Sequence, residues 1–186
     1  MIWLASGSPR RKLLLERAGY SLHVCPTHVD EAIDPGLSPS DQAEALARRK
    51  AQGVETPHVV LAADTLVHLE SEVLGKPRDR DQATDYLTRL SGRWHEVTTG
   101  VCLARGTDVQ VFHTTTRVTF RSLSTSEIAA YVETGDADDK AGAYGIQSGA
   151  APFVADVQGS WTNVVGLPLE ACIPLLDAWG VTRGSG

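Results

Sequence analysis

Two groups of cations and two carboxylates carry the chemistry that this sequence offers. In Ser6-Gly7-Ser8-Pro9-Arg10-Arg11 a small-residue turn runs into a helix, with Ser8 as N-cap and Pro9 as the first helical residue. The first backbone N–H groups of such a helix have no intrahelical partner, and together they bind anions. Cations at this positive end of the helix dipole are unfavourable by a few tenths to about 1 kcal/mol unless an anion answers them. Helical spacing puts Arg11 with Leu14, Leu15 and Ala18, at the edge of the apolar stripe. The competing reading is a solvated basic cap, because short S-P-R-R strings arise by accident.

Lys50 shares a helical face with Ala43, Leu46 and Ala47, leaving Arg48 and Arg49 toward solvent. It either snorkels along apolar surface or points into a cleft to meet a phosphate, and Lys76, in a Gly75-Lys76-Pro77 turn, has the same two readings. Asp64 closes the apolar run Val59 to Ala63. A carboxylate there must be paired, metal-bound or at a cleft mouth, or else it caps the turn at Thr65 and Leu66. Glu31 alone is an ordinary loop acid, but with Asp64 it could hold a hard divalent cation, Mg²⁺ or Mn²⁺, which takes a few carboxylates plus substrate phosphates. His95 lies on the apolar face of a strand and reads as a core residue. Gly142 and Gly145 around Tyr144 imply close backbone approach. Neither a G-x-x-x-x-G-K-[ST] nor a G-x-G-x-x-G string occurs, which excludes a P-loop and a typical dinucleotide fold.

The elements that must hold these residues read as a strand at Ile2 to Ala5, a helix from Ser8 closed by Gly19, and a strand near Ser21 to Pro26. A helix from Ser38-Pro39 to about Gln52 follows, then a buried strand at His58 to Ala63 and a helix from Asp79 to about Leu90. Trp94 to Arg105 and Val109 to Phe120 form a long hairpin. Ser124 and Glu127 make a capping box for a helix ending at Gly135. A strand at Pro152 to Val157 and a helix from Pro168 to Trp179 complete the pattern. A hairpin of this length requires a mixed sheet, so the fold class is α/β.

The bulk properties bound the rest. With 186 residues, 42% apolar and a formal charge of −6, the chain is expected to be one globular domain over 1–181 with a flexible tail at 182–186. The acidity argues against duplex nucleic acid as a partner, and no apolar run reaches the roughly 18 residues of a membrane helix. Arg10, Arg11 and Lys12 follow the apolar stretch Met1 to Ala5, the reverse of a secretory signal, so the expected compartment is the cytoplasm. Three dispersed cysteines form no metal or redox motif. Thirteen of the 17 basic residues are arginine, which suits bidentate recognition of phosphate.

Six blocks taken in order resemble the Maf proteins: LASGSPRR at 4–11, AADT at 62–65, GKP at 75–77, LSGRWHEVTTGV at 90–101, KAGAYGIQ at 140–147 and NVVGLPL at 163–169. The resemblance implies an ITPase-like mixed twisted sheet with flanking helices, two lobes around a cleft, a homodimer, and nucleoside triphosphate pyrophosphatase activity with a divalent metal. By resemblance Asp64 is the catalytic acid and proton acceptor, and Ser6, Arg11, Glu31, Lys50 and Lys76 take phosphate or metal positions. Arg10, Thr65 and Gln147 match the dTTP/UTP branch, whereas the 7-methyl-GTP branch carries tryptophan and glutamate in place of Arg10 and Gln147. Ser148 stands where the family usually continues with glycine, and its restricted φ bears on the loop beside Gln147. The alternatives are 7-methyl-GTP as substrate, or a nucleotide-binding regulator of septum formation.

Overall fold

A long hairpin and the apolar strand paired to it form the frame. The computed structural model describes residues 1–32, 34 and 36–184. Its strands are β1 (Ile2–Leu4), β2 (Leu22–Val24), β3 (Val59–Leu69), β4 (Glu72–Leu74), β5 (Trp94–Arg105), β6 (Asp108–Phe120) and β7 (Val154–Gln158). Its helices are α1 (Pro9–Arg17), α2 (Pro39–Gln52), α3 (Arg80–Leu90), α4 (Thr125–Glu133), α5 (Trp161–Val165) and α6 (Leu169–Ala178). The strands make one mixed sheet in the order β2-β1-β3-β5-β6-β7, with β4 also on β3. β1 runs parallel to β2 and β3, and every other pairing is antiparallel. This is the mixed α/β class that the hairpin required.

The helix starts are fixed locally. Ser8, Ser38, Asp79 and Ser124 each accept a backbone N–H three residues on, and Glu127 completes the capping box at Ser124. Two elements escape the sequence reading, β4 and the short α5, and β3 runs on to Leu69 instead of stopping at Ala63. The reason is pairing on the far edge: β1 supports β3 only to Leu61, but β5 continues to pair with it as far as His68. The polar residues that disguise this continuation are each answered, Asp64 by Lys50, Thr65 by Thr99 and His68 by Thr98.

Two large apolar cores lie along the sheet, and two smaller clusters pack α2 against it. One large core packs Ile2, Leu4, Leu15, Leu61, Val101, Leu167 and Leu176 under α1 and α6. The other packs Val67, Leu87, Leu90, Val97, Phe120, Ile128 and Tyr144 under α3 and α4. β3 and β5 cross both, and the stretch of β3 around Asp64 lies between them. In the tail, the Gly184 N–H donates to the Gly19 carbonyl at 2.8 Å, while Ser185 and Gly186 lie outside the described residues. Among the described residues no helix is long and apolar enough to cross a membrane.

Candidate active site

The site opens where the sheet loses a strand. β1 ends at Leu4, and the Ser6–Pro9 turn carries the chain away into α1, while β4 joins the same edge of β3 only at Val67. Residues 64–67 of β3 therefore face a cleft of about 870 Å³, at the C-terminal end of β1 where open α/β sheets gather ligands. Ser6, Arg10, Arg11, Glu31, Lys50, Asp64, Thr65, Lys76 and Gln147 all line it. The structure thus brings to one cavity every residue for which the sequence suggested a catalytic, phosphate, metal or specificity role.

Asp64 and Thr65 are neighbours on a strand, so their side chains leave opposite faces of the sheet. Asp64 points to α2, where the Lys50 ammonium donates to its Oδ1 at 2.5 Å. The same ammonium lies 2.6 Å from Oε1 of Glu31. Lys50 is buried, so it does not snorkel to solvent. Two carboxylates converge on one cation, and the Lys50 hydrogen bond holds the Glu31 carboxyl below the usual carboxylate range. Asp64 is buried as well, yet its Oδ2 takes no hydrogen bond from the described residues.

Thr65 points to α1 and meets Arg11, which is buried and not a solvated cap. Arg11 donates from Nε to the Gly166 carbonyl at 2.8 Å, from Nη1 to Ser6 Oγ at 2.9 Å and from Nη2 to Thr65 Oγ1 at 3.0 Å. Burial lowers the Arg11 pKa, and the negative charge of Asp64 opposes that shift. Thr65, which the resemblance placed among the specificity positions, is in contact with this guanidinium. Lys76 is exposed on the rim, and its Gly75 neighbour accepts from the Gly142 N–H at 3.1 Å, tying that turn to the glycine-rich segment.

The far end of the cleft has the opposite character. Lys140 donates to the Asp136 carbonyl, to Asp136 Oδ1 and to Asp139 Oδ1 at 2.7, 3.0 and 2.9 Å. Those three bonds use all three ammonium hydrogens, so this lysine is a strut and not a further phosphate ligand. Asp136 Oδ2 also accepts from Tyr131 at 2.8 Å and from Ser148 Oγ at 2.6 Å. Ser148 closes back on the Gly145 carbonyl through its backbone N–H, so the turn carrying Gln147 is held at both ends. Gln147 itself is exposed to the cleft. Arg10 is half-buried, and its charge helps to lower the Asp139 pKa, after the Lys140 hydrogen bond.

Sequence reasoning missed Thr99, Asn163 and Asp136. Thr99 and Asn163 are small polar residues that only the β3–β5 register and the seating of α5 bring near Arg11. For Asn163 the signal was there, as a polar residue beginning the NVVGLPL block.

A family model described as Maf-like protein matches residues 1–179. The dTTP/UTP pyrophosphatase of Symbiobacterium thermophilum is 48% identical over 98% of this chain and 97% of its own length. Those of Pelotomaculum thermopropionicum and Bacillus pumilus are 45% and 42% identical, each over 96% of both chains. The Staphylococcus aureus Ham1 structure overlays with a TM-score of 0.45 at 13% identity, covering 64% of this chain and 71% of that one, a likeness too slight to bear on function.

Proposed function

The chain belongs to the Maf family, and we propose that it hydrolyses dTTP and UTP to the nucleoside monophosphate and pyrophosphate. The observation that carries this reading is the arrangement at the waist of the sheet. A buried carboxylate with one oxygen held by Lys50 and the other free lies between a fixed guanidinium and a second carboxylate. The relatives named as dTTP/UTP pyrophosphatases match over nearly the whole chain and supply the substrate class.

Each residue then has a task. Asp64 Oδ2 accepts the proton of the attacking water, and the Lys50 hydrogen bond to Oδ1 holds the carboxylate in place. Arg11 and Lys76 take the triphosphate, whose charges of about −4 in total each gain roughly 4 kcal/mol against a cation at 4 Å in an effective dielectric of 20, before desolvation. Ser6 orients Arg11 and keeps its hydroxyl hydrogen for a phosphate oxygen. Gln147 and Arg10 face the base, at the end of the cleft that Asp136 and Lys140 make rigid. Fixed charges and a positioned water supply most of the rate enhancement.

The Lys50 ammonium takes Oδ1 of Asp64 and Oε1 of Glu31, which draws the two carboxylates together and leaves the second oxygen of each for a divalent cation beside the ammonium. Among the described residues no cluster of three or more His, Cys, Asp or Glu side chains forms a closed cage. Two carboxylates completed by phosphate and water are what Mg²⁺ or Mn²⁺ takes, so the residues fit the expected metal. Once bound, such an ion neutralises phosphate charge. A homodimer in the cytoplasm, where the nucleotides are, completes the proposal.

The test is to incubate the purified protein with dTTP, UTP, CTP and 7-methyl-GTP in Mg²⁺ and assay the products. Pyrophosphate from dTTP and UTP is the expected result. Orthophosphate alone, or no turnover of any triphosphate, would overturn the activity, and faster turnover of 7-methyl-GTP would overturn the substrate class.

A further inference from the structure

Building on that reading, we propose that Thr99 is a positioning residue for Arg11, acting from inside the sheet along two hydrogen-bonded routes. Thr99 is fully buried and does not line the cleft, so it cannot touch a nucleotide.

The first route follows from counting hydroxyl hydrogens. Thr65 Oγ1 lies 2.9 Å from Thr99 Oγ1, and each hydroxyl has one hydrogen to donate. Thr99 has a backbone acceptor in reach, the Asn163 carbonyl at 3.1 Å, whereas the other acceptor open to Thr65 is the Gly166 carbonyl at 3.5 Å. The better-satisfied order is Thr65 donating to Thr99 and Thr99 donating to Asn163. Thr65 then turns a lone pair toward Arg11 Nη2, which donates to it at 3.0 Å. Three of the five guanidinium N–H groups are held by protein acceptors. One hydrogen on each Nη remains, forming a fork for a phosphate.

The second route runs through α5. The Asn163 carbonyl accepts both the Thr99 hydroxyl and the Gly166 N–H, the latter at 3.0 Å. The Asn163 amide donates to the Val97 carbonyl at 2.9 Å and to Thr116 Oγ1 at 3.0 Å, fastening α5 to β5 and β6. Gly166, at φ 133, then turns its carbonyl to Arg11 Nε. Removing the Thr99 hydroxyl leaves the Thr65 hydrogen only the Gly166 carbonyl, which Arg11 Nε already uses. Both supports of the guanidinium loosen together.

Thr99→Val keeps the branched shape and deletes the hydroxyl. Its KM for dTTP should rise roughly 5- to 20-fold with kcat within about twofold, the size of one weakened charge-assisted contact. The dissociation constant for inorganic pyrophosphate, read by calorimetry, should rise by the same factor. Thr99→Ser, which keeps the hydroxyl, should restore both, and Thr99→Val should add nothing in an Arg11→Ala background. Wild-type pyrophosphate affinity in Thr99→Val, or an undiminished loss beside Arg11→Ala, overturns the proposal. Unfolding of both Thr99→Val and Thr99→Ala while Thr99→Ser folds also overturns it, because Thr99 would then be a stability residue. A wild-type protein that binds pyrophosphate but turns over no triphosphate removes the activity reading and leaves the Thr99 measurement intact. One that binds no pyrophosphate overturns the positioning role of Thr99.

Discussion

Asp64 and Gly100 face each other across β3 and β5, and the missing side chain of Gly100 lets α2 settle close enough to set Lys50 on Asp64. A Cβ at position 100 would lie 2.2 Å from the Ala43 carbonyl carbon and 2.5 Å from the Glu44 nitrogen. These are backbone atoms of α2, so no rotamer change relieves the contact. Gly100→Ala should therefore destabilise the fold by about 3 kcal/mol or more, at the upper end of overpacking effects. Turnover should fall as well, because Lys50 rides on the displaced helix. Thermal unfolding and dTTP kinetics check both, and a wild-type melting temperature would show that α2 does not press on β5.

Asp64→Asn keeps the shape and removes both the charge and the proton acceptor. We expect kcat to fall by at least about 10², the size of a lost general base, with pyrophosphate binding largely retained through Arg11. Undiminished turnover would pass the base role to Glu31 and make Asp64 a structural partner of Lys50.

The legible parts of the site were those with a local signature. Ser8-Pro9 marks the start of α1, and the apolar face of α2 runs through Lys50, so both cations could be located from spacing alone. The strand from Trp94 to Arg105 was equally legible, with His95 on its apolar face. What could not be read was register. Only the β3–β5 pairing sets Thr65 opposite Thr99 and Asp64 opposite Gly100. The continuation of β3 was hidden because Asp64, Thr65 and His68 break the apolar run, and their partners come from distant segments. The same limit applies to Asp136, whose bonds to Tyr131, Lys140 and Ser148 close a network across the loop that follows α4.

Acid should weaken the protein through His95. It is fully buried, with Nε2 2.7 Å from the Tyr144 hydroxyl and Nδ1 without a partner among the described residues. Burial, with a lesser contribution from His68, pushes its pKa down to about 3. The unfolded imidazole titrates near 6.5 and takes up a proton that the folded one refuses. Its contribution is therefore whole above pH 6.5 and is lost as pH falls toward 3, by up to about 1.4 kcal/mol per pH unit. His95→Phe keeps an aromatic ring against Phe120, 5.0 Å away between ring centroids, and leaves the Tyr144 hydroxyl unpaired at every pH. Denaturant titrations between pH 6.5 and 5 should show a shallower loss of stability in the variant, by close to one proton. Equal slopes would mean that His95 charges in the folded protein.

Gln147 is the residue we expect to read the base. It faces the cleft on a turn pinned by Ser148 and Asp136. A carboxamide offers one donor and one acceptor side by side, which match O4 and N3–H of uracil and thymine. Glutamate would present two acceptors, one of them to O4. Gln147→Glu should then lower kcat/KM for dTTP by roughly 1 to 3 kcal/mol, about 5- to 150-fold. The amide alone cannot exclude cytosine, because reversing it offers the complementary pattern. Rejection of CTP therefore depends on what fixes the amide, and the turn below it is the part of the chain that does so. Ser148→Ala removes the hydrogen bond to Asp136 without touching Gln147. We expect it to narrow the preference for dTTP over CTP more than it lowers dTTP turnover. A preference unchanged in Ser148→Ala but abolished in Gln147→Glu would place the selectivity in the amide and its own contacts, independent of the turn that carries it.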